Sequence, residues 1–165
     1  MSELQRGLAP DSTTMRTVMG HFGTGVTVVT AMADGEPIGM ACNSFTSLSL
    51  DPALVLFCAA KSSSTWPKIQ SAKHYCANIL AENDEPLCRS FASKPASERY
   101  DGVGYAKAVT GAPVLDAALA YVDCEIVDEF EGGDHVIVVG RVVELGYREG
   151  APLLFFRGGY GRYQV

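Results

Sequence analysis

Two long β-rich runs, Ala118 to Phe130 and Val136 to Tyr147, are joined through Glu131-Gly132-Gly133-Asp134, with His135 opening the second. So short a connection with paired glycines suits a tight hairpin, so the two runs are predicted to pair antiparallel. Val26 to Met32, dense in β-branched residues, leads to Asp34-Gly35, a turn with the positive φ that glycine tolerates, and the return segment Ile38 to Phe45 pairs back on it. Asp51-Pro52 then punctuates before the apolar run Ala53 to Cys58; His74 to Leu80 and Leu153 to Phe156 complete a set of six or seven strands.

Helices enter this pattern singly. Met15, Val18, Met19 and Phe22 recur at helical spacing over Thr14 to Phe22, behind the possible caps Ser12 and Thr13. After the polar loop Lys61 to Thr65, Ser64 or its neighbour caps a helix with Trp66, Ile69 and Ala72 on one face, and Asn83 to Ser93 forms another with Leu87 and Phe91 inward. Hairpins with inserted helices disfavour a doubly wound parallel sheet, so the predicted fold is mainly β: an antiparallel barrel, which removes exposed strand edges, with a few short helices. The stretch Lys94 to Val114, rich in glycine and proline, is long for a structureless connection and is a candidate for ligand contact.

A chain of 165 residues that is 47% hydrophobic and 19% charged suits one core, so residues 14–165 are expected to form a single domain behind a flexible lead of residues 1–13. The net charge of −6 carries no Lys/Arg stripe, which argues against nucleic acid as a partner. The longest apolar run, Leu153 to Phe156, is far too short to span a bilayer, and no signal layout opens the chain, so neither membrane attachment nor export is expected and a cytoplasmic location is. The five cysteines form no CxxC pair and the three histidines no HxxxH pair, so no metal site is expected and the thiols are assigned to the core.

No glycine fingerprint opens a helix after a strand, since Gly23-Thr24-Gly25 precedes one, and neither a Walker pattern nor a GxSxG elbow occurs. Three polar features remain, each with two readings. Asn43-Ser44 interrupts an apolar strand and is either rim or ligand contact. Ser62 to Thr65 either cap a helix or, with Lys61, hold a phosphate. His135 either satisfies the turn beside Asp134 or faces a ligand.

Several segments in order resemble the short-chain flavin reductases of two-component monooxygenases. They are Phe22-Gly23-Thr24-Gly25-Val26-Thr27-Val28-Val29-Thr30, Gly39-Met40-Ala41-Cys42-Asn43-Ser44-Phe45 through Ser49 with Asp51-Pro52, Lys61 to Pro67, Phe91 to Lys94, Gly132 to His135, and Leu153 to Gly158. The resemblance covers about residues 14 to 163. It implies an FMN-binding split β-barrel of Greek-key type working as a homodimer, in which NADH or NADPH reduces FMN or FAD for a partner monooxygenase. Carried over by position, it implies that Met40, Ala41, Asn43 and Ser44 hold the isoalloxazine edge. Cys58, Ala59, Ala60, Lys61, Ser64 and Thr65 would hold the ribityl chain and phosphate, with Lys94 reaching the same anion. His135 would be the one catalytic side chain and, with Arg157, Gly158, Gly159 and Tyr160, would face the nicotinamide. Members of the family often carry Thr where Cys42 stands, and a thiol is a weaker donor, so contact at this position is expected from backbone more than side chain.

Hydride transfer between stacked rings draws mostly on positioning, so no triad is needed. Two competing readings share this barrel. A pyridoxamine-phosphate-oxidase-like oxidase would need a second basic cluster, which the sparse Lys and Arg do not supply; a non-catalytic flavin-binding electron-transfer module would bind flavin without consuming NADH.

Overall fold

The computed structural model describes residues 3–163. Helix α1 spans Ser12–Met19 and is capped by Asp11, whose carboxylate accepts the N–H groups of Thr13 and Thr14 at 3.0 and 2.9 Å. The cap thus lies one residue before the predicted Ser12 and Thr13: a carboxylate satisfies two otherwise orphaned donors at once.

Twelve strands follow among the described residues, in order β1 (Thr24–Gly25), β2 (Thr27–Ala33), β3 (Glu36–Cys42), β4 (Thr46–Leu50), β5 (Ala53–Ala60), β6 (His74–Leu80), β7 (Tyr105–Lys107), β8 (Pro113–Leu115), β9 (Ala118–Gly132), β10 (His135–Tyr147), β11 (Leu153–Phe156) and β12 (Gly159–Arg162). Helix α2 (Trp66–Ala72) lies between β5 and β6, and α3 (Glu85–Ser93) between β6 and β7. One sheet carries seven strands in the order β3-β2-β6-β9-β10-β5-β4, every pair antiparallel, beside a three-stranded sheet of β1, β11 and β12 and the β7–β8 pair. The mainly β, antiparallel expectation therefore holds.

The two predicted hairpins form where expected. Asp34 and Gly35 both have positive φ (53° and 83°), the type I′ geometry whose twist matches its strands. Three segments differ from the sequence reading. The return strand stops at Cys42, and Thr46–Leu50 is a separate strand that turns to pair with β5. The stretch Lys94 to Val114 is not structureless but holds a short 3-10 turn (Ala96–Glu98), β7 and most of β8. The segment after Phe156 is a strand, β12, because Arg157 and Gly158, both with positive φ, turn the chain back on β11.

The main core sits where β2, β5, β6, β9 and β10 meet helix α2, whose Trp66 and Ile69 are buried against them. Phe57 packs edge-on against Tyr75 and Trp66, with ring centroids 4.9 and 6.0 Å apart, a geometry worth about 1 kcal/mol per pair beyond area burial. A second cluster places Phe91 of α3 against β3. Glycine is required at position 39 for this approach, since a Cβ there would lie 2.7 Å from the Phe91 ring.

A buried polar network fixes the segment between α3 and β9. Asn78, fully buried on β6, donates to the Pro113 carbonyl at 3.2 Å and accepts the Leu115 N–H at 2.8 Å, while buried Asp123 accepts the N–H and hydroxyl of Thr110. With every member partnered, the network costs little to bury and leaves the segment one position. That segment carries Arg99 and Tyr100 onto β3: Arg99 Nη1 donates to the Gly39 carbonyl at 2.7 Å and Tyr100 Oη to that of Ile38 at 3.1 Å. No helix among the described residues is long and apolar enough to cross a membrane.

Candidate functional site

A cleft of about 510 Å³ opens where the end of β3 faces the end of β5. Strand alternation decides which residues line it. On β5, Cys58 and Ala60 point into the cleft, whereas Ala59 between them is fully buried in the core. On the opposite side stand Met40, Ala41 and Cys42 of β3, then Asn43 and Ser44.

Ser44 joins the two strands: its Oγ accepts the Cys58 N–H at 2.9 Å and donates to the Cys58 carbonyl at 3.1 Å. The Cys42 thiol lies 3.0 Å from the same oxygen, and burial raises its pKa. The Ser44 hydroxyl is therefore committed to the protein and its N–H is directed at the Cys42 thiol, while the N–H of Asn43 has no partner among the described residues.

The loop after β5 closes one end. The N-cap of α2 is Thr65, the neighbour of Ser64, and the Oγ of Ser63 accepts the N–H groups of Thr65 and Trp66 at 3.2 Å each. This leaves the hydroxyls and N–H groups of Ser62 and Ser64, both lining the cleft, without a protein partner among the described residues. Thr65 is buried, and its Oγ1 accepts from Arg99 Nη1 at 2.9 Å. Arg99 itself lines the cleft and is partly desolvated, which lowers its pKa.

His135 lines the same cleft from the start of β10, opposite Ala60 in register. Its Nδ1 is 2.7 Å from Asp134 Oδ1, and this hydrogen bond is the main cause holding the Asp134 carboxyl below the usual range. The structure therefore brings Met40, Ala41, Asn43, Ser44, Cys58, Ala60, Ser64, Thr65 and His135 together as the sequence suggested.

The remaining candidates lie elsewhere. The Lys61 amine pairs with Glu131 on β9, outside the cleft lining, and Lys94 ends α3 with its side chain exposed. Arg157 and Gly159 line neither this cleft nor the larger second one, to which Gly158 belongs, and Tyr160 closes a small apolar pocket with its hydroxyl 3.2 Å from the Cys88 thiol. The cation in the first cleft is Arg99, which sequence reasoning passed over. Its signal was only that a long, glycine-rich stretch holds an Arg-Tyr pair.

The second cleft, about 880 Å³, shares Asn43 and Ser44 with the first and is walled by α1, the Gly23-Thr24-Gly25 segment and Phe155. No carboxylate lines either cleft, although acidic residues outnumber basic ones 19 to 13 in the chain. Among the described residues no cluster of His, Cys, Asp or Glu could hold a metal.

Hydroxyls, unpartnered amides and one arginine in an acid-free cleft between antiparallel strands define a β protein built to hold an anionic organic ligand. The chain belongs to the flavin reductase like domain family, whose model matches residues 19–164. It is 43% identical over 153 residues to the flavin-dependent monooxygenase reductase subunit HsaB of Rhodococcus jostii, covering 92% of this chain and 78% of that one. It is 43% identical to a flavin reductase of Pseudomonas putida, covering 94% and 92% of the two chains. The solved NADH:FAD oxidoreductase of Streptomyces globisporus superposes with a TM-score of 0.90 at 34% identity, covering 99% of this chain and 100% of that one, and has also been solved with NAD and FAD fragments.

Proposed function

We propose that the chain is an NAD(P)H-dependent flavin reductase that passes electrons from NADH or NADPH to FMN or FAD and supplies the reduced flavin to a partner monooxygenase. The observation that carries the site assignment is the first cleft: Arg99, the hydroxyls of Ser62, Ser64 and Thr65, and the unpartnered amide of Asn43 are gathered without a carboxylate. This donor set fits a flavin at both ends. Arg99 with the Ser62–Thr65 hydroxyls suits the phosphate, and the Asn43 amide suits a carbonyl oxygen or nitrogen of the ring edge.

Bound flavin supplies the two-electron acceptor chemistry that no side chain of the protein offers. The chain's own residues bind and orient. Ser44 holds β3 against β5 so that the Asn43 amide keeps its aim, and the apolar faces of Met40, Ala60 and Phe91 keep water from the floor. His135, oriented through Nδ1 by Asp134, presents its other ring nitrogen as a partner for an amide of the incoming nicotinamide.

The same reading extends to the fold and assembly. We infer that residues 14–163, with the first turn of α1 that precedes them, form one domain, residues 164 and 165 lying outside the described residues, and that the seven-stranded sheet is a split barrel of Greek-key type, supported by the Ser44–Cys58 link between β3 and β5. A homodimer is supported by exposed apolar side chains on the sheet, Leu50 and Tyr147 being 94% and 83% exposed, surface that a second copy would cover. A cytoplasmic setting fits a reductase whose product must reach an oxygenase before dioxygen does.

The test is steady-state oxidation of NADH and NADPH, followed by loss of the reduced nicotinamide absorbance, with FMN, FAD or no flavin added. Turnover that needs added flavin supports the reading and fixes both preferences. Flavin-loaded protein that oxidises neither nucleotide overturns it.

A further inference from the structure

The second cleft has a cation of its own. Arg16, in the last turn of α1, lines it together with Met19, Gly20 and Phe22 of the same helix and the segment after it. The side chain is exposed and forms no ion pair among the described residues, unlike Lys61, Arg89, Arg141 and Arg162, each of which has a carboxylate within 4 Å. Its backbone is held. The Arg16 carbonyl accepts the Gly20 N–H at 2.9 Å, and the Gly20 carbonyl accepts the Arg157 N–H at 2.9 Å, which ties the end of α1 to the β11–β12 turn.

Two further observations point to a ligand on this wall. The Thr24 hydroxyl, also on the cleft lining, is shielded from solvent and has no partner among the described residues. The two clefts share Asn43 and Ser44, so the Arg16 wall adjoins the cleft that His135 lines. With no carboxylate within 4 Å among the described residues, the guanidinium fork is available.

An exposed arginine with an unspent planar fork, in an acid-free cleft next to a flavin site that has its own arginine, matches a second phosphate-bearing ligand. We propose that Arg16 binds the diphosphate of the incoming pyridine dinucleotide, so that α1 is the wall that recognises the reductant while Arg99 serves the flavin. The assignment rests on the reductase reading. It makes Arg16 a binding residue for one substrate and not for the other.

The test compares the wild type with Arg16→Ala and Arg16→Lys, using NADH and N-benzyl-dihydronicotinamide, a reductant with the same ring and no phosphate. For Arg16→Ala, kcat/KM for NADH is expected to fall about ten- to a hundredfold, mostly through KM, with partial recovery in Arg16→Lys. The value for the phosphate-free reductant and the Kd for FMN, from fluorescence quenching, should stay within about twofold. Calorimetric titration of NAD+ into flavin-loaded protein supplies a readout independent of turnover, and the same weakening is expected. Equal losses with both reductants would make Arg16 a structural residue of α1 and overturn the proposal, as would unchanged NAD+ affinity. A wild type that oxidises neither reductant overturns the reductase reading itself, a result distinguishable from either.

Discussion

The hydroxyl of Ser44 accepts the N–H of Cys58 at 2.9 Å and donates to its carbonyl at 3.1 Å, so one side chain completes both backbone bonds of a residue on a strand fourteen positions away. Strand β3 has no backbone ladder to β5, and this link keeps the mouth of the first cleft at fixed width. Ser44→Ala leaves a partly buried N–H and C=O unpaired, which should cost about 1–3 kcal/mol. The expected result is a lower urea midpoint together with an FMN Kd raised several-fold; a stability loss with unchanged Kd would separate the link from the cleft.

Arg99 and Lys61 offer a direct contrast. Arg99 lines the cleft and Lys61 is turned to Glu131. Arg99→Gln should weaken FMN binding about ten- to a hundredfold, as expected for a lost charged hydrogen bond, while riboflavin, which has no phosphate, binds as before. Lys61→Ala should change FMN affinity by no more than about threefold, since exposed ion pairs contribute little and the amine is outside the cleft. Fluorescence-quenching titrations of both flavins with both variants decide the matter, and a larger effect of Lys61 would move the phosphate toward the β9–β10 hairpin.

His135→Ala removes the one imidazole on the cleft and should raise KM for NADH more than KM for flavin, by about tenfold against twofold. Steady-state kinetics with each substrate varied in turn gives both numbers. Equal rises would mark a displaced hairpin.

The thiols set an alkaline limit to stability. Burial raises Cys76, and it pushes Cys124 up to about 12 from an ordinary value of 9.0. The unfolded chain releases these protons above about pH 9 while the folded chain keeps them, so the unfolded state binds fewer protons and stability falls as pH rises. The contribution is complete below the unfolded value and is lost progressively toward the folded one. Urea midpoints should be flat from neutral pH to that point and drop beyond it, and a Cys76→Ala, Cys124→Ala double variant should flatten the drop.

The same burial separates the thiols by reactivity. Cys42, Cys76, Cys88 and Cys124 are buried with raised pKa values, and Cys58 alone is half-buried on the cleft wall. A disulfide exchange reagent at neutral pH should label about one thiol rapidly, because the thiolate is the attacking species, and added FMN should slow it. Rapid labelling of several thiols, or no protection, would place the flavin away from β5.

Local chemistry alone made much of this chain legible. The period-two runs, Asp34-Gly35 and Gly132-Gly133 specified the hairpins, because turn geometry and side-chain alternation are properties of adjacent residues. The order of motifs from Phe22 to Gly158 specified the family, and with it Met40, Ala41, Asn43, Ser44, Cys58, Ala60, Ser64, Thr65 and His135 as neighbours. Only the tertiary structure decided which of the remaining polar residues share that cleft. Ala59 and Ala60 differ by one step of the pleat, Lys61 is drawn off by Glu131 seventy residues later, and Arg99 arrives because buried Asn78 and Asp123 on distant strands clamp the segment that follows it. Those outcomes depend on competition between long-range partners for one side chain or one backbone group, and a linear reading contains the competitors but not the distances between them.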